Sequence, residues 1–140
     1  MSLEEDKALA RRAVEEIWGK GSLDTVDELY APDFVWHWAP PGVATNREGY
    51  KQFVTANFAS FGDVRCDTED VVAEGDKVVV RWTWRATHKG EYMGIAPTGK
   101  QITMTGISIS RVVDGKTVEE WGEIDMLGMM QQLGAVPPSS

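Results

Sequence analysis

The chain has 140 residues, of which 42% are hydrophobic and 26% are charged, a composition typical of one folded domain with a single core. Its 22 acidic and 14 basic residues give a net charge of −8, and the basic residues are scattered along the sequence. Nucleic-acid binding depends on clustered lysine and arginine, so we expect no nucleic-acid partner. No apolar run has the length of a signal-peptide core or a membrane span, which predicts a cytoplasmic protein without a membrane partner.

The N-terminal segment predicts two helices. Ser2 and Glu5 have the spacing of a capping box, and apolar residues then recur at the spacing of one helical face, which predicts a helix over residues 3–19. Ser22 then opens a short second helix.

A strand and a third helix follow. Aromatic and β-branched residues over 33–42 predict a short strand, which two prolines end because proline cannot donate to a sheet ladder. The third helix begins near Asn46 and ends at Gly62. Its apolar stripe has a single polar interruption, Asn57.

The rest of the chain is dominated by strand signals, from Cys66 to Asp125. The turn Asp114-Gly115 is a strong hairpin signal. Helices followed by an antiparallel sheet predict an α+β domain with the helices packed on one face of the sheet. Leu127, Met130 and Leu133 lie at helical spacing and predict a short closing helix, before a disordered tail at residues 135–140. We treat residues 1–140 as one domain.

A curved sheet covered by helices leaves a cavity, and the composition offers six Trp, three Tyr, four Phe and six Met to line it. Large aromatic and methionine side chains suit a flat hydrophobic organic ligand. Alternatively, these side chains only fill the core. The candidate substrate-binding residues are Trp18, Phe53, Asn57, Trp82, Trp84, Met104 and Trp121.

Asp125 is the first candidate for proton transfer. Period-two alternation along the last strand places it on the same face as Trp121, which argues that this face is covered. Burial in an apolar pocket raises the pKa of a carboxyl group toward the range useful for acid/base catalysis. Alternatively, Asp125 caps the helix that follows, and the two roles are compatible.

His37 is the second candidate catalytic residue. Alternation sends its neighbours Trp36 and Trp38 to the opposite face, and a histidine near a pocket mouth can transfer a proton near neutral pH. Alternatively, its ring is hydrogen-bonded to nearby backbone. His88 is expected at the edge of a loop, and Cys66 is expected to be unreactive.

The sequence has no motif for a cofactor or a metal. The two histidines and one cysteine do not have ligand spacing, so no metal site is expected. Phosphate-binding glycine motifs and the G-x-S-x-G nucleophile motif are absent as well.

The chain resembles the SnoaL-like polyketide cyclase, or ester cyclase, family over nearly its whole length. The most specific segments are GIAPTGK and the ending W-x-x-x-D-x-x-G-x-x-x-Q-L-G, which here contains Trp121 and Asp125. The resemblance implies a cystatin-like cone of the nuclear-transport-factor-like superfamily, with N-terminal helices on the concave face of an antiparallel sheet. It also implies a hydrophobic cavity and a homodimer formed through the sheet.

The chemistry that the resemblance implies is an intramolecular aldol condensation on an aromatic polyketide methyl ester, without metal or cofactor. The family's acid/base aspartate falls on Asp125, and His37 matches a histidine that is frequent after the first strand. Residues 101–113 contain no counterpart of the family's second catalytic histidine.

Three functions remain open because fold alone does not decide among them. The first is a cyclase or isomerase-like enzyme. The second is a hydroxylase or hydrolase on the same scaffold, and the third is a protein that binds a small hydrophobic molecule without converting it. The first requires Asp125 to be buried with a hydrogen-bonding partner, whereas the third needs only the aromatic walls.

Overall fold

The computed structural model describes residues 2–137, which form four α-helices, one π-helical turn and a five-stranded sheet. The helices are α1 (Leu3–Ala13), α2 (Leu23–Leu29), α3 (Arg47–Ser60) and α4 (Met126–Leu133). The strands are β1 (Tyr30–Trp36), β2 (Phe61–Glu74), β3 (Lys77–His88), β4 (Gln101–Val113) and β5 (Lys116–Ile124). The predicted α+β class is therefore confirmed. Of the predicted tail, residues 135–137 form no helix or strand, and residues 138–140 lie outside the described part.

Polar caps fix the starts of the first three helices. Ser2 and Glu5 form the predicted capping box of α1. The Ser22 hydroxyl accepts a hydrogen bond from a backbone N–H at the start of α2, and the Asn46 carboxamide does the same at the start of α3. These side chains satisfy N–H groups that have no partner inside the helix, so the sequence signals located the helix starts correctly.

The first helix changes its winding at Val14. Residues Val14–Trp18 form a π-helical turn, closed by a hydrogen bond of 3.0 Å from the Gly19 N–H to the Val14 carbonyl. Ile17 in this turn is fully buried. The predicted helix over 3–19 is thus helical to Trp18, but its last turn is wider than an α-helix, a local feature that is frequent at functional sites.

The sheet is mixed, with strand order β1-β5-β4-β3-β2. All neighbours are antiparallel except β1 and β5, which pair in parallel with Tyr30 opposite Thr117. The predicted antiparallel sheet is therefore confirmed for β2 to β5, whereas β1 joins it in parallel. Hydrophobic periodicity describes the faces of a strand but not its partner, so the parallel pair left no local signal.

The bounds of two strands differ from the prediction, whereas the predicted hairpin is confirmed. β1 covers Tyr30–Trp36 rather than residues 33–42, so it ends before the two prolines. β2 starts at Phe61, so α3 ends two residues before Gly62. Asp114 and Gly115 both have positive φ, 49° and 75°, as the turn between β4 and β5 requires.

A β-bulge in β5 decides which of its side chains face the helices. Arg111 of β4 pairs with Glu119, but the next residue of β4 pairs with Thr117, so Val118 is the extra residue. A bulge interrupts the alternation of side chains between the two faces. As a result Thr117 and Glu120, three residues apart, are both buried, with exposed fractions of 1% and 9%.

The helices cover the concave face of the curved sheet, as predicted, with α1 against β2 and β3 and α3 against β1 and β2. The closing helix α4 buries Met129 and Leu133, whereas Leu127, assigned to the apolar face, is 62% exposed. Within residues 2–137, no helix is long and apolar enough to span a membrane.

Candidate active site

A cavity of about 700 Å3, its open mouth included, lies between the concave face of the sheet and the helices. We call it the aromatic cavity, because all six tryptophans lie on its wall: Trp18, Trp36, Trp38, Trp82, Trp84 and Trp121. The seven candidate substrate-binding residues lie on it too: Trp18, Phe53, Asn57, Trp82, Trp84, Met104 and Trp121. Their common location is observed, and their role in binding remains a prediction.

Trp82 lies flat across the sheet because β4 has a glycine beneath it. A Cβ atom added at Gly106 would lie 2.2 Å from Cζ2 of Trp82, well inside van der Waals contact. The indole Nε1 donates a hydrogen bond of 3.1 Å to the Ser108 hydroxyl. Gly106 therefore makes room for one wall of the aromatic cavity, and Ser108 fixes its orientation.

Glu120 is the only charged residue on this wall within the described chain. It lies on the inward face of β5, and its side chain is surrounded by aromatic groups. Desolvation raises its pKa from the ordinary 4.5 to about 7, and hydrogen bonds from Tyr30 and Tyr50 act in the opposite direction. A carboxyl group of this kind can both accept and return a proton near neutral pH.

A chain of hydrogen bonds from Trp18 ends at Glu120. Trp18 Nε1 donates to the Tyr50 hydroxyl at 2.8 Å, the hydroxyls of Tyr50 and Tyr30 are 3.1 Å apart, and the Tyr30 hydroxyl donates to Oε2 of Glu120 at 3.4 Å. Indole can only donate and a carboxylate can only accept, so the chain runs from Trp18 toward Glu120. Burial raises the pKa of both tyrosines well above the ordinary value, and the charge of Glu120 adds to this, so both phenols keep their protons.

Two further polar groups on the wall are buried without a partner. The side chain of Asn57, on α3, is 8% exposed and has no hydrogen bond to any of residues 2–137. Within the same part of the chain, the Trp84 Nε1 is buried and unpaired. A buried donor without an acceptor costs roughly 1–3 kcal/mol, which applies to the Trp84 Nε1. Both groups are suited to bind an oxygen atom of a ligand.

Asp125 does not lie on the wall of the aromatic cavity. It follows the last residue of β5, is exposed, and its Oδ1 accepts a hydrogen bond of 2.9 Å from the Gly128 N–H at the start of α4. The prediction that it lies on a covered face is wrong, because the inward face of β5 carries Glu120, Gly122 and Ile124. The alternative role as a helix cap is confirmed, and a role in catalysis remains untested.

His37 lies outside the aromatic cavity as well. It is exposed, its Nε2 is 2.7 Å from Oε2 of Glu119, and its ring stacks on Trp121 with centroids 4.9 Å apart. His37 and Arg111 lower the pKa of Glu119. The hydrogen-bonding partner of the His37 ring is thus the Glu119 carboxylate rather than the backbone. The predicted alternation is confirmed, since Trp36 and Trp38 both line the cavity.

His88 is buried more deeply than a loop position would allow, whereas Cys66 is half-buried. His88 is the last residue of β3 rather than a loop-edge residue, is fully buried, and its Nδ1 accepts a hydrogen bond from the Thr98 N–H. Burial raises the pKa of Cys66 to about 12, which keeps it a thiol. Among residues 2–137, no three histidine, cysteine or acidic side chains are grouped to hold a metal ion.

The sequence did not lead us to predict a role for Glu120, although its pattern contains a signal that this residue is buried. The face of the last strand that carries Glu119, Glu123 and Asp125 has three acids, whereas the opposite face has only Glu120 beside glycine and apolar residues. A face with three carboxylates faces solvent far more readily than a face with one. Counting charges on each face would have selected Glu120, and the presence of Trp121 pointed the other way.

The comparisons with known proteins identify the family and agree with the fold. The pattern of the SnoaL-like polyketide cyclase family matches residues 8–133. Nogalonic acid methyl ester cyclase of Streptomyces nogalater is 27% identical, covering 81% of this chain and 87% of the relative. AclR of Streptomyces galilaeus, a proposed hydroxylase, superposes with a TM-score of 0.88 at 31% identity, covering 99% of this chain and 87% of its own. IdmH of Streptomyces antibioticus, a proposed polyketide cyclase, superposes with a TM-score of 0.79 at 37% identity, and the match covers 94% of this chain and 99% of IdmH. The chain therefore belongs to the SnoaL-like polyketide cyclase family.

Proposed function

We propose that this protein closes a ring in a hydrophobic polyketide by an intramolecular aldol reaction, with Glu120 as the acid/base group and without a cofactor. The observation that carries the proposal is the position of Glu120, a buried carboxyl group on the wall of the aromatic cavity whose pKa is raised to about 7. Such a group is ionised to a useful extent at neutral pH and is still basic enough to remove a carbon-bound proton.

The reaction begins when the Glu120 carboxylate removes a proton α to a carbonyl, so that an O–H bond forms, a C–H bond breaks and the electron pair becomes an enolate. The enolate carbon then attacks a second carbonyl of the same molecule, forming the C–C bond. The resulting alkoxide takes up the proton from Glu120. No electrons leave the substrate, so no oxidant is required.

Asn57 and Trp84 are the proposed donors to the enolate oxygen. Both are buried on the cavity wall, and neither side chain has a partner among residues 2–137. Donors already in place at a developing negative charge stabilise it without reorganisation. The aromatic walls hold the two ends of one substrate together, and this positioning lowers the entropic part of the barrier.

The proposed substrate is a planar, multi-ring polyketide ester. Its planar rings match the tryptophan walls of the aromatic cavity. A methyl ester is supported by the family relative named for nogalonic acid methyl ester.

Asp125 is the alternative acid/base group, and one experiment separates it from Glu120. Purified wild type, Glu120→Gln and Asp125→Asn are incubated with a panel of aromatic polyketide methyl esters, and products are followed by mass spectrometry. We expect Glu120→Gln to lower kcat/KM by about 10²–10⁴-fold, and Asp125→Asn, which keeps the cap, to stay within about tenfold of wild type. The reverse order would move the proton transfer to Asp125, and binding without conversion by wild type would favour a binding protein.

Tyr30 is proposed as a positioning residue for Glu120. Its hydroxyl bonds to the carboxylate but lies on no part of the aromatic cavity. Tyr30→Phe removes a bond that lowers the pKa of Glu120, so the rise of kcat with pH moves to higher pH by about half to one unit. A purely structural role would instead lower kcat equally at every pH.

A hydroxylase is the second candidate function, supported by the 31% identity to AclR. The same assay distinguishes it, because aldol closure leaves the mass of the substrate unchanged and hydroxylation adds one oxygen atom. A product heavier by one oxygen would overturn the cyclase proposal.

A homodimer formed through the outer face of the sheet is also proposed. Val72 and Ile107 on that face are 61% and 46% exposed, and Val35 adds a third exposed apolar side chain on β1. Apolar side chains gathered on one face favour association. Light scattering should give the mass of a dimer for wild type and of a monomer for Ile107→Glu, and a monomeric wild type would contradict the proposal.

A further inference from the structure

A second, smaller cavity adjoins the aromatic cavity, and Glu120 lies on the wall of both. It has a volume of about 350 Å3, its opening included. Four residues belong to both walls, namely Val14, Trp18, Trp82 and Glu120. These side chains therefore separate the two spaces. We call the smaller one the rear chamber.

The rear chamber is lined by hydroxyl groups, unlike the aromatic cavity. Tyr30, Ser108, Ser110 and Thr117 all contribute to its wall. Ser108 accepts a hydrogen bond from Trp82, whereas the side chains of Ser110 and Thr117 have no hydrogen bond to any residue in the described range 2–137. Thr117 is buried and Ser110 is partly exposed, and hydroxyl groups that have no protein partner favour a polar occupant.

The bulge at Val118 brings the hydroxyls and the carboxylate together. Without the extra residue, Thr117 and Glu120 would lie on opposite faces of β5. With it, both side chains point toward the rear chamber, and Thr117 is only 1% exposed. At the edge of the chamber, Leu9 and Ser110 are partly exposed, so this end reaches the protein surface.

We propose that the rear chamber binds water molecules that connect the Glu120 carboxyl group with the solvent. A bound water needs two to four polar partners, and the hydroxyl groups and the Glu120 carboxyl group on the wall of the rear chamber supply them. The proton that Glu120 holds passes to a bound water, which releases one of its own protons to the next water. Only O–H bonds change, and no electrons are transferred.

The inference deepens the proposed function, on which its catalytic meaning rests. A substrate that fills the aromatic cavity shields Glu120 from solvent on that side, so the protonation state of the carboxyl group equilibrates with solvent only through a second route, before and after the reaction in which the proton is returned to the product. The titratable side chains that face Glu120 are Tyr30 and Tyr50, and both keep their protons. Within the described wall of the rear chamber, Glu120 is the only charged group, so water is the available proton carrier.

The test combines a high-resolution crystal structure of the wild type with a titration of Glu120. The structure should contain ordered water within hydrogen-bonding distance of both Glu120 and Thr117. The titration follows the protonated carboxyl band by infrared spectroscopy, assigned by its loss in Glu120→Gln. Thr117→Val keeps the shape of the side chain but removes a partner of the water, so the pKa of Glu120 should rise by about half to one unit.

Thr105→Val is the matched control, because Thr105 is exposed on the outward face of β4. It should leave the pKa of Glu120 unchanged. If Thr117→Val fails to fold, Ser110→Ala gives the same reading. A dry chamber, or a pKa that responds equally to the Thr117 and Thr105 variants, would overturn the inference. If the chamber is dry but Glu120→Gln is inactive, only the inference fails. If water is bound but Glu120→Gln remains active, only the proposed function fails.

Discussion

We predict that the stability of Glu120→Gln relative to wild type increases as the pH rises from 5 to 8. The folded protein binds the Glu120 proton more tightly than the unfolded chain, with a pKa of about 7 against the ordinary 4.5. The stability that this proton contributes is complete below pH 4.5 and is lost as the pH rises to about 7. At about 1.4 kcal/mol per pH unit, the loss amounts to about 3 kcal/mol. Glutamine is neutral at every pH and suffers no such loss.

The assay is urea unfolding followed by tryptophan fluorescence at pH 5, 6, 7 and 8 for both proteins. The other carboxyl groups are common to both, so the difference in free energy of unfolding isolates Glu120. We expect this difference to change by about 2–3 kcal/mol in favour of the variant between pH 5 and pH 8, because part of the loss occurs below pH 5. A hydrogen bond that glutamine makes less well adds a constant offset and does not alter the slope.

Glu123→Gln provides the control, because Glu123 lies on the same strand and is exposed. Its difference from wild type should be nearly independent of pH. A flat difference for Glu120→Gln, or a variant that loses stability relative to wild type as the pH rises, would refute the burial of a carboxyl group with a raised pKa.

Three further predictions concern other parts of the structure. Gly106→Ala should destabilise the protein by about 1–3 kcal/mol, since its Cβ would collide with Trp82. Gly122→Ala, whose Cβ has no neighbour closer than 3.8 Å, should be nearly neutral; equal Tm values for the two variants would contradict this. Asp125→Ala should lose about 1 kcal/mol of stability, because it removes the cap of α4. Asp125→Ser should recover most of this stability in the same thermal melts. No recovery would argue against capping. Cys66, with its pKa raised to about 12, should react with a thiol reagent at pH 8 much more slowly in the native than in the urea-unfolded protein, and equal rates would exclude that burial.

Local signals predicted the parts of the fold that local chemistry determines. The caps at Ser2, Ser22 and Asn46 and the turn at Asp114-Gly115 satisfy backbone groups or φ angles within a few residues of themselves. Such features are encoded where they occur. The aromatic wall was also predictable, because six tryptophans in a small domain must gather on the concave face that the helices cover.

Features that depend on distant pairing were not predictable in the same way. β1 and β5 pair in parallel, but the hydrophobic periodicity of each strand does not indicate which strand it pairs with or in which direction. The bulge at Val118 exists only relative to β4, and it places Thr117 and Glu120 on one face of β5, which the two-residue count does not predict. Asp125 is visible in the sequence as a motif residue, whereas the burial of Glu120 arises from helices and strands that are distant in sequence and assemble around it.

The parallel pairing of β1 with β5 has a consequence for how the protein assembles during synthesis. Tyr30 leaves the ribosome early, but its partner Thr117 follows only after most of the chain has been made. Contacts so far apart in sequence form late, because the intervening loop must first be closed at an entropic cost. The strand that carries Glu120 thus inserts last, between β1 and β4. Until it does, the tryptophans on the nascent helices and β3 remain uncovered, a state that is prone to aggregation.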